Sequence, residues 1–138
     1  EGEAFQKGEY QCSREMFTKI IKQSGMDADK VKIIEGLYED SLTDSVKSEY
    51  NLNWASIIHI DCDIYSSTKE ALQFVEDLVG PGSVIIFDDW HAFDDSDRKE
   101  GGEMFGEKKA FNEWRLQDRF DELFDSVHGR VFLMNRNA

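Results

Sequence analysis

Ala55-Ser-Ile-Ile-His-Ile-Asp61-Cys-Asp63-Ile-Tyr65 and Ser83-Val-Ile-Ile-Phe-Asp88-Asp89-Trp90 are two short, β-branched runs that each end abruptly in carboxylates. Between them, Ala71, Leu72, Phe74, Val75, Leu78 and Val79 recur at helical spacing. Ser67-Thr-Lys-Glu70 reads as a capping box opening that helix, and Gly80-Pro81-Gly82 ends it. The unit is therefore strand–helix–strand, which predicts a parallel pair. Parallel strands point the same way, so Asp61, Asp63, Asp88 and Asp89 are expected at one edge of the sheet. In open α/β sheets ligands bind at that carboxyl edge.

The composition narrows the possibilities. A chain of 138 residues suits one domain with a modest core. With 16 basic and 29 acidic residues, the net charge is −13. That argues against nucleic acid or an anionic membrane as partner, since both need basic surface. No apolar run approaches the length of a membrane span and no signal peptide is visible. Of the two cysteines, Cys62 lies inside the first acidic strand end, where a thiol serves as a small buried side chain rather than half a disulfide. The expectation is a reduced, cytoplasmic protein.

Working outward, Ser13 is placed to cap a helix whose Met16, Phe17, Ile20 and Ile21 form an apolar stripe expected to pack in the core, with Gly25 as its stop. Val31-Lys-Ile-Ile-Glu35 reads as a strand ended by Gly36. Residues 37–42 read as a loop, and Thr43 opens a short helix to about Tyr50. The run Trp54–Ile60 is apolar at nearly every position, as suits a strand covered on both faces, with His59 as a satisfied core residue. Residues 91–105 are polar and irregular and follow a strand's carboxyl end, a position where lids occur. Gly106 to about Phe120 reads as a helix presenting Ala110, Phe111, Trp114 and Phe120. Glu122–Val127 and Arg130–Met134, joined by His128-Gly129, read as an antiparallel hairpin.

The acidic cluster implies chemistry. Residues two apart on a strand share a face, and neighbouring strands are about 4.8 Å apart, so carboxylates at adjacent strand ends can share one ion. Close carboxylates repel, and a proton or a cation must relieve that. Oxygen-only ligands select hard cations: Mg²⁺ or Ca²⁺, with Mn²⁺ also compatible. Some of these aspartates could instead cap helices or solvate loops.

The pattern Ile60-Asp-Cys-Asp-Ile-Tyr-Ser-Ser-Thr68 followed by Pro81-Gly-Ser-Val-Ile-Ile-Phe-Asp-Asp-Trp90 resembles the macrocin O-methyltransferase family. So do Phe5-Gln-Lys-Gly-Glu-Tyr10, the stretch Lys30–Leu42, and Lys109-Ala-Phe-Asn-Glu-Trp114. The resemblance implies a Mg²⁺-dependent, S-adenosylmethionine-dependent enzyme that methylates a sugar-like or other small-molecule hydroxyl. It assigns Asp61, Asp88 and Asp89 to the metal and Asp63 to general-base duty. Gly36, Leu37 and Tyr38 would lie near the adenine.

The expected fold is a partial Rossmann-like α/β domain of the class I methyltransferase kind over residues 1–138. Its sheet would be mostly parallel, with helices on its faces and a C-terminal antiparallel hairpin. The family's Gly-rich cofactor turn has no counterpart here, so the chain is expected to match a C-terminal portion of such an enzyme. It would then leave one edge of the Ala55–Ile60 strand open, to be paired by the Val31–Glu35 strand or covered in a homo-oligomer. The alternative is a non-catalytic, cation-binding α/β remnant that acts through oligomerisation or a partner. A glycosyltransferase using Asp61-Cys-Asp63 and a phosphoacceptor domain using Asp88-Asp89 fit the order of motifs less well.

Overall fold

The computed structural model describes residues 12–92 and 105–135. They fall into two compact units, Glu1–Glu35 and Gly36–Ala138. The expected readings of residues 1–11 and 93–104, including the lid, lie outside the described residues.

In the first unit, α1 runs from Arg14 to Gln23, and Ser13 Oγ accepts the Met16 amide at 3.2 Å. The cap is the one the sequence predicts, but the apolar stripe is not core. Met16 is 53%, Phe17 41% and Ile20 49% exposed. A single helix has no second layer of its own to cover its stripe. Val31–Glu35 is not a strand: after the 3-10 turn Ala28–Lys30 it is irregular and joins no ladder among the described residues. β-branched residues favour a pleated surface only where a neighbouring strand supplies the ladder.

The second unit carries α2 (Tyr38–Ser41), α3 (Asp44–Glu49), β1 (Ile57–Ile60), α4 (Tyr65–Val75), β2 (Val84–Phe87), α5 (Gly106–Glu113), β3 (Phe120–Asp125) and β4 (Arg130–Met134). Residues 37–42, expected as a loop, thus contain a helical turn. The expected capping box falls inside α4, whose N-cap is Ile64 without a side-chain bond. Thr68, buried, instead donates to the Ile64 carbonyl at 3.0 Å. The expected helix from Gly106 ends early, at Glu113, and the hairpin starts at Phe120.

The strand order is β1-β2-β4-β3. β1 and β2 are parallel, as expected, and β3 and β4 form the expected antiparallel hairpin. β4 returns antiparallel beside β2. The sheet is therefore mixed rather than mostly parallel, because the hairpin supplies half of its strands. β1 is an edge strand, so its far side is open among the described residues.

One sheet face is dry. Ile58, Ile60, Ile85, Phe87, Phe132 and Met134 point into a core completed by Ala71 and Leu72 of α4 and Ala110 and Phe111 of α5. The other face is not covered as expected: Ile57 is 70% exposed and His59 is exposed beside it. Period-2 alternation puts these two on the side away from α4 and α5. Ser83 fixes how the two parallel strands start. Its hydroxyl donates to the Ala55 carbonyl at 2.6 Å and accepts the Gly80 amide at 3.0 Å. No helix among the described residues is long and apolar enough to cross a membrane.

Aromatic rings concentrate under the carboxyl end of β2. Phe87 is fully buried and lies 5.1 Å from Trp90, 5.3 Å from Phe111 and 6.0 Å from Phe132, centroid to centroid. Phe111 stacks on Phe132 at 4.3 Å. Truncating the central ring leaves a cavity its rigid neighbours cannot close. Phe87→Ala is expected to lower unfolding free energy by about 3–5 kcal/mol in a urea titration, and an unchanged midpoint would contradict this account of the core.

Candidate metal and base site at the acidic edge

The register sets the edge. Ile60 pairs with Phe87 at the last ladder position, and the Asp88 amide donates to the Ile60 carbonyl at 3.1 Å. Asp61 and Asp88 therefore leave the sheet at the same level. β1 ends at Ile60, and Asp63 adopts a left-handed backbone with φ of 53°, uncommon for a residue with a side chain. That turn, rather than continued strand alternation, brings Asp63 back beside Asp61.

Asp61, Asp63 and Asp89 converge. One carboxylate oxygen from each lies within 4.8 Å of the others. Asp88 does not join this group; its carboxylate is 3.5 Å from His59 Nε2 on the open sheet face. Consecutive residues at a strand end project to opposite faces, so Asp88 and Asp89 part company. His59, expected as a core residue, is instead an exposed neighbour of that carboxylate.

A carboxyl–carboxyl hydrogen bond and burial dominate the electrostatics. The Asp89 carboxyl is raised from 3.8 to about 7, first by Asp63, close enough to share its proton, then by burial and the remaining aspartates. Beneath it stands Glu107 in the first turn of α5, fully buried and raised to about 8 chiefly by that burial. Its Oε2 accepts the Asp89 amide at 3.0 Å, while Oε1 has no hydrogen-bond partner among the described residues. Glu107 is absent from the sequence reading. The signal was there: positions 107, 110, 111 and 114 form the core-facing stripe of α5, and a glutamate interrupts an otherwise apolar series.

The cluster fits a hard divalent cation. Three carboxylates are close enough to share one ion, in place of the proton that Asp89 and Asp63 share in its absence.

Beside the cluster, Tyr38, Leu42, Ile58, His59, Ile60, Asp61 and Cys62 help line a cleft of about 220 Å³. Gly36 has φ of 135°, and a Cβ there would stand 3.1 Å from Ser41 Cβ, so glycine lets the chain turn into α2. Tyr38 then reaches the cleft, its hydroxyl raised by burial and by nearby Cys62 and Asp61. Leu37 is 67% exposed. The Cys62 thiol, half-buried beside the Thr68 hydroxyl, is raised mainly by burial.

The family model for macrocin O-methyltransferases (TylF) matches residues 3–114. Among solved structures, the chain is similar to that of the O-methyltransferase NovP, with a TM-score of 0.69 at 18% identity. That match covers 90% of this chain and 46% of the other. It is also similar to apo CalS11, a TDP-rhamnose 3′-O-methyltransferase of calicheamicin biosynthesis, with a TM-score of 0.53 at 18% identity. There the coverage is 72% of this chain and 40% of the other. The chain thus spans about half the length of these solved structures or slightly less. At this identity the likeness speaks to the fold. No curated protein matches the chain in sequence.

Asp89 and Glu107 keep protons in the folded chain at pH values where the unfolded chain has lost them. Stability must then fall as pH rises through their folded values, about 7 and about 8. Urea midpoints measured without divalent cations are expected to fall between about pH 5 and pH 9. In Glu107→Gln, the part of the slope nearest pH 8 should flatten. A slope identical to that of the unaltered chain would contradict the raised Glu107.

Proposed function

The chain belongs to the TylF macrocin O-methyltransferase family, and on that premise we propose that it carries the cation- and base-bearing half of a methyltransferase site. The reaction is transfer of a methyl group from S-adenosylmethionine to the hydroxyl of a sugar-like small molecule. The observation that carries this reading is the convergence of Asp61, Asp63 and Asp89 at the carboxyl edge of a parallel strand pair.

Asp61 and Asp89 would hold a divalent cation, Mg²⁺ or another hard ion. Asp88 leaves the sheet level with Asp61 and would complete the set on turning from His59. When bound, the cation supplies Lewis acidity that lowers the pKa of the acceptor hydroxyl. Asp63 takes the proton of that hydroxyl as general base; its left-handed backbone holds it against the other two carboxylates. Tyr38 and the Ile58–Cys62 segment offer an apolar cleft beside Asp61 for the adenine end of the methyl donor. Gly36 and Leu37 are not among its lining residues; they form the turn that leads into α2. S-adenosylmethionine supplies the methyl group.

A second reading, a cation-binding α/β module without catalysis, draws support from the cleft. Its 220 Å³ falls short of the roughly 300–1,000 Å³ of ordinary ligand pockets.

Mg²⁺ stabilisation tests the cation site common to both readings, and donor binding separates them. Mg²⁺ at about 100 times its dissociation constant should raise unfolding free energy by about 2.7 kcal/mol, and that gain should vanish in Asp61→Ala/Asp89→Ala. An equal gain in the double variant would sink the site assignment. Calorimetric titration with S-adenosylhomocysteine in the presence of Mg²⁺ should show binding if the chain takes the methyl donor; silence would favour the non-catalytic module. In preparations that transfer methyl groups, Asp63→Asn should lower the turnover rate by about 10²–10⁴-fold with little change in Mg²⁺ stabilisation.

A further inference from the structure

We propose that Glu107 is a positioning residue for the acidic edge: from inside the core it holds the backbone of Asp89 and so sets where that carboxylate stands. The inference rests on the cation reading above and concerns a residue that the reading does not use.

A carboxyl at this position is costly. Glu107 is 0% exposed and shares the core-facing stripe of α5 with Ala110, Phe111 and Trp114, all buried. Burying such a group is unfavourable unless hydrogen bonds compensate, and an apolar side chain of similar size would fill the space without that cost. Packing therefore does not account for a glutamate here. The compensating contact is specific: Oε2 accepts the Asp89 amide at 3.0 Å.

That amide needs a partner that the sheet no longer supplies. β2 ends at Phe87, and the next amides go to separate elements. Asp88 donates to the Ile60 carbonyl of β1, Asp89 to Glu107 of α5, and His91 to the His128 carbonyl in the β3–β4 turn at 3.2 Å. The same turn presses on the strand end from the other side. A Cβ on Gly129 would lie 2.3 Å from the Phe87 carbonyl oxygen. The acidic corner is thus clamped between a hairpin turn and one side chain. Gly106 makes the reach possible: its φ of 54° turns the chain into α5 so that Glu107 enters the core in the first turn.

Asp89 is joined to its own amide by few rotatable bonds, so moving the amide moves the carboxylate relative to Asp61 and Asp63. Small hard cations demand near-ideal ligand geometry, and groups that orient ligands without touching the ion change affinity by about 10–100-fold. Either carboxyl oxygen of an acid, ionised or not, or the carbonyl of an amide, can accept this bond. The role is one of geometry.

The test is Mn²⁺ binding to the chain, followed by the paramagnetic resonance signal of free Mn²⁺. Glu107→Gln keeps an acceptor and is expected to bind within about threefold of the unaltered chain. Glu107→Leu removes the acceptor at similar volume and is expected to bind about 10–100-fold more weakly. Its circular dichroism should match that of the unaltered chain, and its cation-free unfolding should stay cooperative, so that the loss of binding is not a loss of fold. In an Asp89→Asn background, Glu107→Leu should weaken Mn²⁺ binding much less, because the carboxylate it mainly holds is already gone and only its smaller influence at the Cys62 amide remains. Glu107→Met repeats the comparison if Glu107→Leu loses its fold.

Three results would overturn the role. They are unaltered Mn²⁺ affinity in Glu107→Leu, equal weakening in Glu107→Gln, or the same loss in the presence and absence of the Asp89 carboxylate. Failure of the unaltered chain to bind Mn²⁺ would overturn the cation reading itself and this role with it.

Discussion

The packing of Phe87 against Trp90, Phe111 and Phe132 is the contact on which the rest of the second unit depends. It joins β2, the residues after it, α5 and β4 at one point. Edge-to-face and stacked rings at these separations bury much apolar area and tolerate little displacement. The acidic edge begins at the very next residue. Carboxylates that repel one another stay close only where the backbone beneath them cannot yield, and this aromatic layer supplies that rigidity.

The edge is built by opposing demands. Sheet register brings Asp61 and Asp88 level, and strand alternation then separates Asp88 from Asp89. The left-handed turn at Asp63 ends the strand and leaves its carboxylate beside those of Asp61 and Asp89. Backbone strain of this kind persists only where the surroundings over-determine it. Here the surroundings are α4 starting at Tyr65 and the buried Thr68 hydroxyl, which meets both the Ile64 carbonyl and the Cys62 thiol.

The two faces of the sheet have different fates. α4 and α5 seal one face, while Ile57 and His59 leave the other open at the edge strand. A parallel pair ordinarily lies between two helical layers. β1 has the sequence of such a strand and one covered face.

By itself, the sequence determined the local and the periodic. Two β-branched runs flanking an amphipathic helix could form only a parallel pair with their carboxylates at one end. His128-Gly129 between two apolar-containing runs pointed to a hairpin, which the structure closes through residues 126–129. Ser13 and Thr43 capped the helices they preceded. Asp61, Asp63 and Asp89 were therefore legible as neighbours. Tertiary structure decided what depends on partners distant in sequence. Among the described residues, Val31–Glu35 has strand-forming residues but no ladder to join, and the stripe of α1 has no layer over it within its unit. Strand alternation set Asp88 beside His59 only once β2 was placed in register with β1. Glu107 became part of the acidic corner only because α5 packs its first turn beneath Asp89. A sequence pattern states which face a residue shares with its near neighbours. It does not state which distant backbone amide will stand 3.0 Å away.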